Sequence, residues 1–209
     1  DTNVVGADGD DYRGSSSGAV HASRTTDGGA THDQVAKLTA ADGAAEDQFG
    51  ISVAIDGGTI VVGADRDDDG GDNSGSAYVF RTTDGGATYG QVAKMTASDA
   101  SPLDLFGKSV AIDGATIVAG AYGDDDGGSS SGSVCVFLTT DGGATYGQVA
   151  KLTASDAAAG DYFGNSVAIA GGTVVLGARD GEAAYVFRTT DGGATYDQVA
   201  ELTAADVSS

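Results

Sequence analysis

The 209-residue chain is strongly acidic, with 31 Asp and Glu residues against 10 Lys and Arg residues and a formal net charge of −21. A surface of this charge repels nucleic acid and anionic lipid, so neither is an expected partner, and no apolar run reaches the length that spans a bilayer. A single cysteine, Cys135, excludes an intrachain disulfide. The abundance of glycine (35 residues) predicts many turns and a thin, layered core.

One motif recurs along the whole chain. Its clearest segment, 59–64 (TIVVGA), returns at 116–121 and 173–178, 57 residues apart each time, and the chain opens on the same segment. We therefore predict a single repeat domain, 1–209, and expect a processed form or an excised segment of a longer protein, because the first unit begins inside the motif. The predicted units are 1–58, 59–115, 116–172 and a truncated 173–209.

Four short strands are predicted for each unit, taking as an example the segments 49–55, 60–63, 77–80 and 91–96. An Asp-Gly-Gly turn joins the first two and suits a tight hairpin. The strand that starts with Phe-Gly occurs three times and the others four times, so the chain holds about 3.7 four-stranded antiparallel blades. Such units must bury their faces against one another, which favours an all-β propeller, as a partial ring or part of a larger one, over an open solenoid-like stack.

The loop between the second and third strands is acidic and offers candidate metal ligands. In the second unit it reads DRDDDGGDN from Asp65, which resembles the start of an EF-hand-type calcium loop. Alternating carboxylates can surround a hard cation, while the alternative is a solvated acidic loop. The predicted Ca²⁺ ligands are Asp65, Asp67, Asp69, Asp72 and Asn73 in the second unit, Asp124 and Asp126 in the third, and Asp8 and Asp10 in the first. The fourth unit has lost most of this loop and is not expected to bind.

The first two strands carry a family resemblance. Phe49-Gly50-x-Ser52-Val53-Ala54 and Val61-Val62-Gly63-Ala64 resemble the FG-GAP repeat, which builds the β-propeller of integrin α-subunits and of many secreted or surface proteins. The resemblance implies a propeller, usually of seven blades, with extracellular adhesion or recognition roles and calcium in some loops. Integrin-type repeats carry calcium between the first and second strands, where this chain has only a three-residue turn, so those positions do not transfer.

The turn between the third and fourth strands has a second resemblance. Its sequence, 82–89 (TTDGGATY), is similar to the Asp-box of sialidases and other propellers, and it recurs in every unit. An Asp side chain can accept backbone N–H groups of its own turn, and the glycines permit positive φ. A structural role rather than a catalytic one is therefore predicted for Asp27, Asp84, Asp141 and Asp191. A turn-capping role is also favoured over metal or substrate binding for Asp47, Asp104 and Asp161.

The units are nearly uniform, and no catalytic pattern stands out among their differences. We therefore expect a non-enzymatic extracellular or cell-surface propeller with a structural, adhesive or ligand-recognition role, stabilised by Ca²⁺. The expected partner is a protein or glycan ligand, or copies of the chain itself. One alternative is a subunit of an extracellular filament or assembly completed by neighbouring chains. Another, a fragment of a sialidase-like enzyme, is disfavoured because Arg24, Arg81 and Arg188 are one repeated position rather than a unique triad.

Overall fold

The computed structural model describes residues 1–203, which form fifteen β-strands in four antiparallel sheets. The first sheet has three strands, β1 (Thr2–Ala7), β2 (Ala19–Arg24) and β3 (Asp33–Leu38). The second sheet contains β4 (Ser52–Asp56), β5 (Thr59–Ala64), β6 (Ser76–Arg81) and β7 (Gly90–Met95). The third contains β8 (Phe106–Asp113), β9 (Thr116–Ala121), β10 (Ser133–Leu138) and β11 (Gly147–Leu152). The fourth contains β12 (Phe163–Ala170), β13 (Thr173–Ala178), β14 (Ala183–Arg188) and β15 (Asp197–Thr203).

Each sheet is a blade in which strands follow chain order, as in a partial β-propeller. The all-β prediction and the three-fold occurrence of the Phe-Gly strand are confirmed, since only the first sheet lacks that strand. The sheets are divided differently from the sequence units: unit 59–115 combines three strands of the second blade with the first strand of the third. Residues 204–209, the end of the last predicted unit, lie outside the described residues. The described part of the chain contains no helix that could cross a membrane.

The core lies between blades rather than within them. Side chains alternate along each strand, so Ile60 and Val62 of β5 pack toward the first blade while Val61 packs toward the third. Both faces of the second blade are therefore covered, which explains why β5 and β6 are almost continuously apolar. Phe49 is fully buried and meets the Tyr78 ring edge-on, with a centroid distance of 5.4 Å. Its equivalents, Phe106 and Phe163, are fully buried in the next two blade interfaces.

The repeated glycines and serines form one contact between neighbouring blades. Ser52 donates a hydrogen bond of 2.7 Å to the carbonyl oxygen of Gly107 in the next blade. Gly63 lies against the same carbonyl so closely that a Cβ atom would overlap it. The contact recurs one blade later, where Ser109 donates to Gly164 at 2.7 Å. The Phe-Gly and Val-Gly-Ala segments are thus two sides of a single junction.

Candidate functional site

The acidic loop of the second blade closes on a lysine from the blade's outer strand. Lys94 Nζ donates to Asp42 Oδ2 at 2.8 Å, to Asp67 Oδ2 at 2.9 Å and to Asp69. The Tyr78 hydroxyl donates to Asp67 at 2.7 Å, and Asp42 Oδ1 lies 3.1 Å from the same hydroxyl oxygen. Burial alone would lower the pKa of Lys94, but the three carboxylates outweigh it and raise the pKa, so the ammonium is charged at neutral pH.

A lysine binds the loop wherever the loop is acidic, with three carboxylate partners in the second and third blades and one in the first. In the third blade, Lys151 Nζ lies 2.7 Å from Asp99 and 2.6 Å from both Asp124 and Asp126. In the first blade, Lys37 pairs with Asp10 at 2.9 Å. The fourth blade has the shortened loop, and its residue at the lysine position is Glu201. A cationic side chain therefore accompanies the acidic loop and is replaced where the loop is lost.

The predicted calcium ligands of the second unit do not converge on one point. Asp67 and Asp69 do come together, with Asp42, and their carboxylate oxygens lie within 4.8 Å of one another. Asp65 instead pairs with Lys108, and Asp72 accepts a hydrogen bond of 2.9 Å from the neighbouring Asn73 side chain. The three clustered carboxylates do not fit a Ca²⁺ ion in this arrangement, because the Lys94 ammonium already contacts all of them. Calcium binding stays a prediction.

The lysine clusters join blades. Asp42 and Asp99 belong to the segments that leave the preceding blades, so each lysine connects its own loop to the blade before it. A second bond reinforces the junction, since the Gln91 side-chain oxygen accepts from the backbone N–H of Ala41 at 3.0 Å. Sequence reasoning missed both residues, because Asp42 lies in the preceding unit and Lys94 lies on the last strand of the blade, far from the loop in sequence. The available signal was the shared presence of acidic loop and lysine in three units.

The repeated TTDGGAT turns are held by their aspartates. Asp84 accepts hydrogen bonds from the Thr88 backbone N–H at 2.9 Å, the Thr88 hydroxyl at 2.6 Å and the Thr82 hydroxyl at 2.7 Å. The bonds from Thr88 and Thr82 hold the pKa of Asp84 well below its usual range. Asp27, Asp141 and Asp191 are bound in the same way. The carboxylates are thus turn caps, and the Asp-box resemblance itself stays a prediction.

Two of the three repeated arginines beside these turns contact the turn of the next blade. Arg81 donates to the Gly142 carbonyl in the turn of the next blade, and Arg24 packs beside Gly86 one blade earlier. Arg188 donates to Thr173 within the last described blade. Each arginine therefore belongs to a different local contact and not to a shared pocket.

A second group of aspartates caps the turns that enter the Phe-Gly strands. Asp47 accepts from the Ala44 backbone N–H at 2.6 Å, and Asp104 accepts from Ser101 in the same way at 2.7 Å. Asp161 repeats the bond in the last blade. The capping role predicted from the sequence is confirmed by these bonds. Burial raises the pKa of Asp47 and Asp104.

A second cluster of charged and aromatic residues lines a cavity between two blades. A cavity of about 350 Å³ lies between the second and third blades, and its lining residues are Asp65, Arg66, Asn73, Leu103, Leu105, Lys108 and Tyr122. Asp65 is only 2% exposed, and its Oδ2 atom lies 3.2 Å from Lys108 Nζ. Its Oδ1 atom accepts no hydrogen bond from the described residues. Burial raises the pKa of Asp65, against the opposing effect of Lys108 and Arg66.

The cluster continues across the next two blades. Lys108 Nζ lies 5.8 Å from the centre of the Tyr122 ring, and the Tyr122 and Tyr162 rings are 5.7 Å apart. The Arg179 guanidinium lies 4.2 Å from the centre of the Tyr162 ring. We call Asp65, Lys108, Tyr122, Tyr162 and Arg179 the charged–aromatic row. Sequence reasoning separated its members, because Asp65 was grouped with the loop aspartates and the other four residues lie in other blades.

The charged–aromatic row contains a repeat position at which the side chain changes from acidic to aromatic to basic in successive blades. Asp65, Tyr122 and Arg179 each follow the second strand of a blade, at one equivalent position. Of the ten basic residues, six occupy two repeated positions, and the other four are Arg13, Arg66, Lys108 and Arg179. Arg66 and Lys108 line the cavity, and Arg179 belongs to the row. The basic residues that do not recur between repeats are therefore concentrated in this region.

Cys135 is not activated. It replaces the tyrosine of the second blade within the core, and burial raises the pKa of its thiol to about 12. A thiol with this pKa is protonated and a poor nucleophile at neutral pH.

The blade architecture, with lysine-bridged junctions at the second and third blades, defines a β-propeller repeat protein. The family model described as FG-GAP repeat matches residues 32–80, 89–137 and 146–196, more than half of the chain. The chain therefore belongs to the FG-GAP repeat family, as its sequence resemblance predicted. No curated protein matches it.

A solved structure shows the same fold. It is described as a putative 6-phosphogluconolactonase from Bacteroides uniformis and superimposes with a TM-score of 0.63 at 15% sequence identity. The match covers 99% of this chain and 55% of that one, so the chain spans about half the length of the structure it resembles. At this identity the similarity extends to the fold alone.

Proposed function

We propose that the chain is a non-enzymatic recognition propeller whose binding surface is the charged–aromatic row. The observation that carries this proposal is the loss of repeat symmetry along the row, where Asp65, Tyr122 and Arg179 occupy one equivalent position in consecutive blades. A residue needed only for blade packing should recur, as Ser52 and Gly63 do. Unlike side chains at one equivalent position instead suit an asymmetric ligand.

The composition of the row supports recognition rather than scaffolding. Partly exposed tyrosines next to charged side chains are enriched at binding surfaces, where they combine contact area with directional bonds. The cavity beside them lies at a junction between blades and is concave, as ligand sites usually are. The Lys94 ammonium neutralises the carboxylates of Asp42, Asp67 and Asp69. The proposed recognition role therefore does not require Ca²⁺ at this loop.

The absence of enzymatic activity that we propose is supported by the structural contacts of the side chains that could otherwise act in catalysis. Among residues 1–203, the repeated aspartates cap turns or bind lysines, the repeated arginines Arg24 and Arg81 contact the turn of the next blade, and Cys135 is buried with a raised pKa. An extracellular or cell-surface location with an adhesive role belongs to the same proposal, and family membership supports it.

Arrays of glycans and synthetic peptides, probed with labelled protein, test the proposal. Tyr122→Ala combined with Arg179→Ala should abolish binding, since both side chains belong to the row. The matched control, Tyr12→Ala with Arg188→Ala, removes the same side-chain types from exposed positions outside the row and should leave binding intact. Binding that survives in the row variant would contradict the proposed surface. Turnover of a fluorogenic sialoside or of 6-phosphogluconolactone would contradict the absence of catalysis.

A further inference from the structure

The cavity between the second and third blades is lined by basic residues that the other junctions lack. Arg66 and Lys108 both contribute to its wall. The residues equivalent to Arg66 are Gly9, Gly123 and Asp180, and those equivalent to Lys108 are Ile51 and Asn165. Blade packing therefore requires neither cation, because junctions built from the same strands form without them.

The buried carboxylate of Asp65 balances only one of these two charges. Its Oδ2 atom lies 3.2 Å from Lys108 Nζ, a contact that leaves two of the three N–H donors of the ammonium group for other partners. The Lys108 side chain is 31% exposed. Arg66 is exposed and forms no ion pair within residues 1–203. The cavity wall thus has one positive charge in excess, on donors that a ligand can reach.

Another wall of the same cavity is apolar. Leu103 is 58% exposed, Leu105 is half-buried, and the Tyr122 ring lines the cavity with them. The residues equivalent to Leu103 are Glu46 and Gly160, and those equivalent to Leu105 are Gln48 and Tyr162. The leucine pair is therefore specific to this junction. An exposed leucine in a cavity offers contact area that the fold itself does not use.

Charge and size together narrow the class of ligand. Arg66 and Lys108 repel a cation, whereas the planar guanidinium of an arginine matches a carboxylate with two parallel hydrogen bonds. Among the lining residues only Asp65 is acidic. The net charge of −21 opposes a polyanion, but charges more than about 8 Å away are largely screened at physiological salt, so a single carboxylate responds mainly to the cavity itself. A volume of about 350 Å³ suits a small molecule.

We infer that this cavity binds a small organic acid in which a carboxylate is attached to an apolar group. The carboxylate pairs with the Arg66 guanidinium and the Lys108 ammonium. The apolar group packs against Leu103, Leu105 and the Tyr122 ring. This inference rests on the proposed recognition function and names the ligand class for one end of the charged–aromatic row.

Three probes that share a phenylethyl group and differ in charge test the inference: hydrocinnamate, its neutral amide and phenethylamine. In titrations followed by methyl NMR, hydrocinnamate should shift the resonances of Leu103 and Leu105. The amide should bind about tenfold more weakly, because it lacks the charge-assisted hydrogen bonds of the carboxylate. Phenethylamine should leave these resonances unchanged. Equal affinities for the acid and the amide would overturn the inference.

Variants of the cavity wall locate the binding. Arg66→Gln should weaken the affinity for hydrocinnamate by about tenfold, because it removes the guanidinium charge. The matched control is Arg188→Gln, which makes the same change at an exposed position outside the row and should bind like the wild type. Leu103→Gly introduces the residue of the next junction, Gly160, and should weaken binding by about fivefold through the lost apolar contact. Thermal melts verify that each variant is folded.

The outcomes separate this inference from the proposed function. If hydrocinnamate leaves the leucine resonances unchanged but an array ligand binds through Tyr122, the ligand class is wrong and the recognition surface stands. If neither hydrocinnamate nor any array ligand depends on Tyr122, both fail. Equal loss in Arg66→Gln and Arg188→Gln would also overturn the assignment, because the effect would then not belong to the cavity.

Discussion

Lys94 Nζ lies 2.9 Å from Asp67 Oδ2, and the carboxylate of Asp67 is only 6% exposed. The pair is more than a surface salt bridge, because Asp42 from the preceding blade also binds Lys94, and the Tyr78 hydroxyl donates to Asp67. The ammonium thus satisfies a buried anion and connects two blades at once. The lysine has the role that a bound cation would have in an acidic loop, but it is covalently attached.

Replacing Lys94 with Met should therefore destabilise the protein by about 2 to 3 kcal/mol, because Asp67 is left buried without its main counter-charge. Urea unfolding at pH 7 measures the change. Lys37→Met is the matched control: that lysine pairs with Asp10 alone, and both side chains are a quarter or more exposed. Its loss should cost about 0.5 kcal/mol. Equal destabilisation by the two substitutions would show that the three-carboxylate cluster adds nothing.

The same substitution predicts a gain of metal response. Without the ammonium, the oxygens of Asp42, Asp67 and Asp69 remain within 4.8 Å of one another and suit a hard cation. The metal-stripped Lys94→Met protein should therefore melt at a higher temperature when Ca²⁺ is added, whereas the wild type should not respond. Calorimetric titration provides an independent measurement. A wild-type response that Asp67→Ala with Asp69→Ala removes would instead restore the calcium site predicted from the sequence.

Much of the fold could be predicted from the sequence because each strand and turn motif occurs several times, at equivalent positions of successive repeats. The Phe-Gly start, the Asp-Gly-Gly turn and the alternation around Ile60 and Val62 all recur, so strand order and blade number followed directly. The contacts between blades could not be predicted in the same way. Lys94 and Asp42 are 52 residues apart, and their meeting depends on how one sheet docks on another. The charged–aromatic row was hidden for the same reason, since its members come from three blades.

The glycine at the end of the second strand should be intolerant of any side chain. In Gly120→Ala, the new Cβ atom would overlap the Gly164 carbonyl oxygen, and that oxygen is backbone held by the next blade. We expect a loss of about 3 kcal/mol, since the blades must separate to make room. Gly177→Ala is the control, because its Cβ atom would meet only the mobile Ser166 side chain. Thermal unfolding compares them, and equal losses would show that strand propensity rather than blade contact limits this position.

The turn aspartates predict a defined response to acid. The pKa of Asp84 is lowered in the folded protein from an ordinary value of 3.8, so its stabilisation is complete above that value and is lost as the pH falls through the folded pKa. Asp84→Ala should therefore lower the melting temperature at pH 7, and the difference from the wild type should shrink below about pH 4.

Asp104 provides a control of opposite sign for the acid response of Asp84. Burial raises its pKa in the folded protein, so its contribution is greatest below the ordinary value and decreases as the pH rises through the folded pKa. The difference between the wild type and Asp104→Asn should accordingly grow as the pH falls toward 4. Melting curves from pH 7 to pH 2 test both trends together. Parallel pH profiles of the melting-temperature difference for the two variants would contradict this explanation. They would show that the hydrogen bonds of the TTDGGAT turn do not lower the pKa of Asp84, and that its ionised carboxylate does not cap the turn.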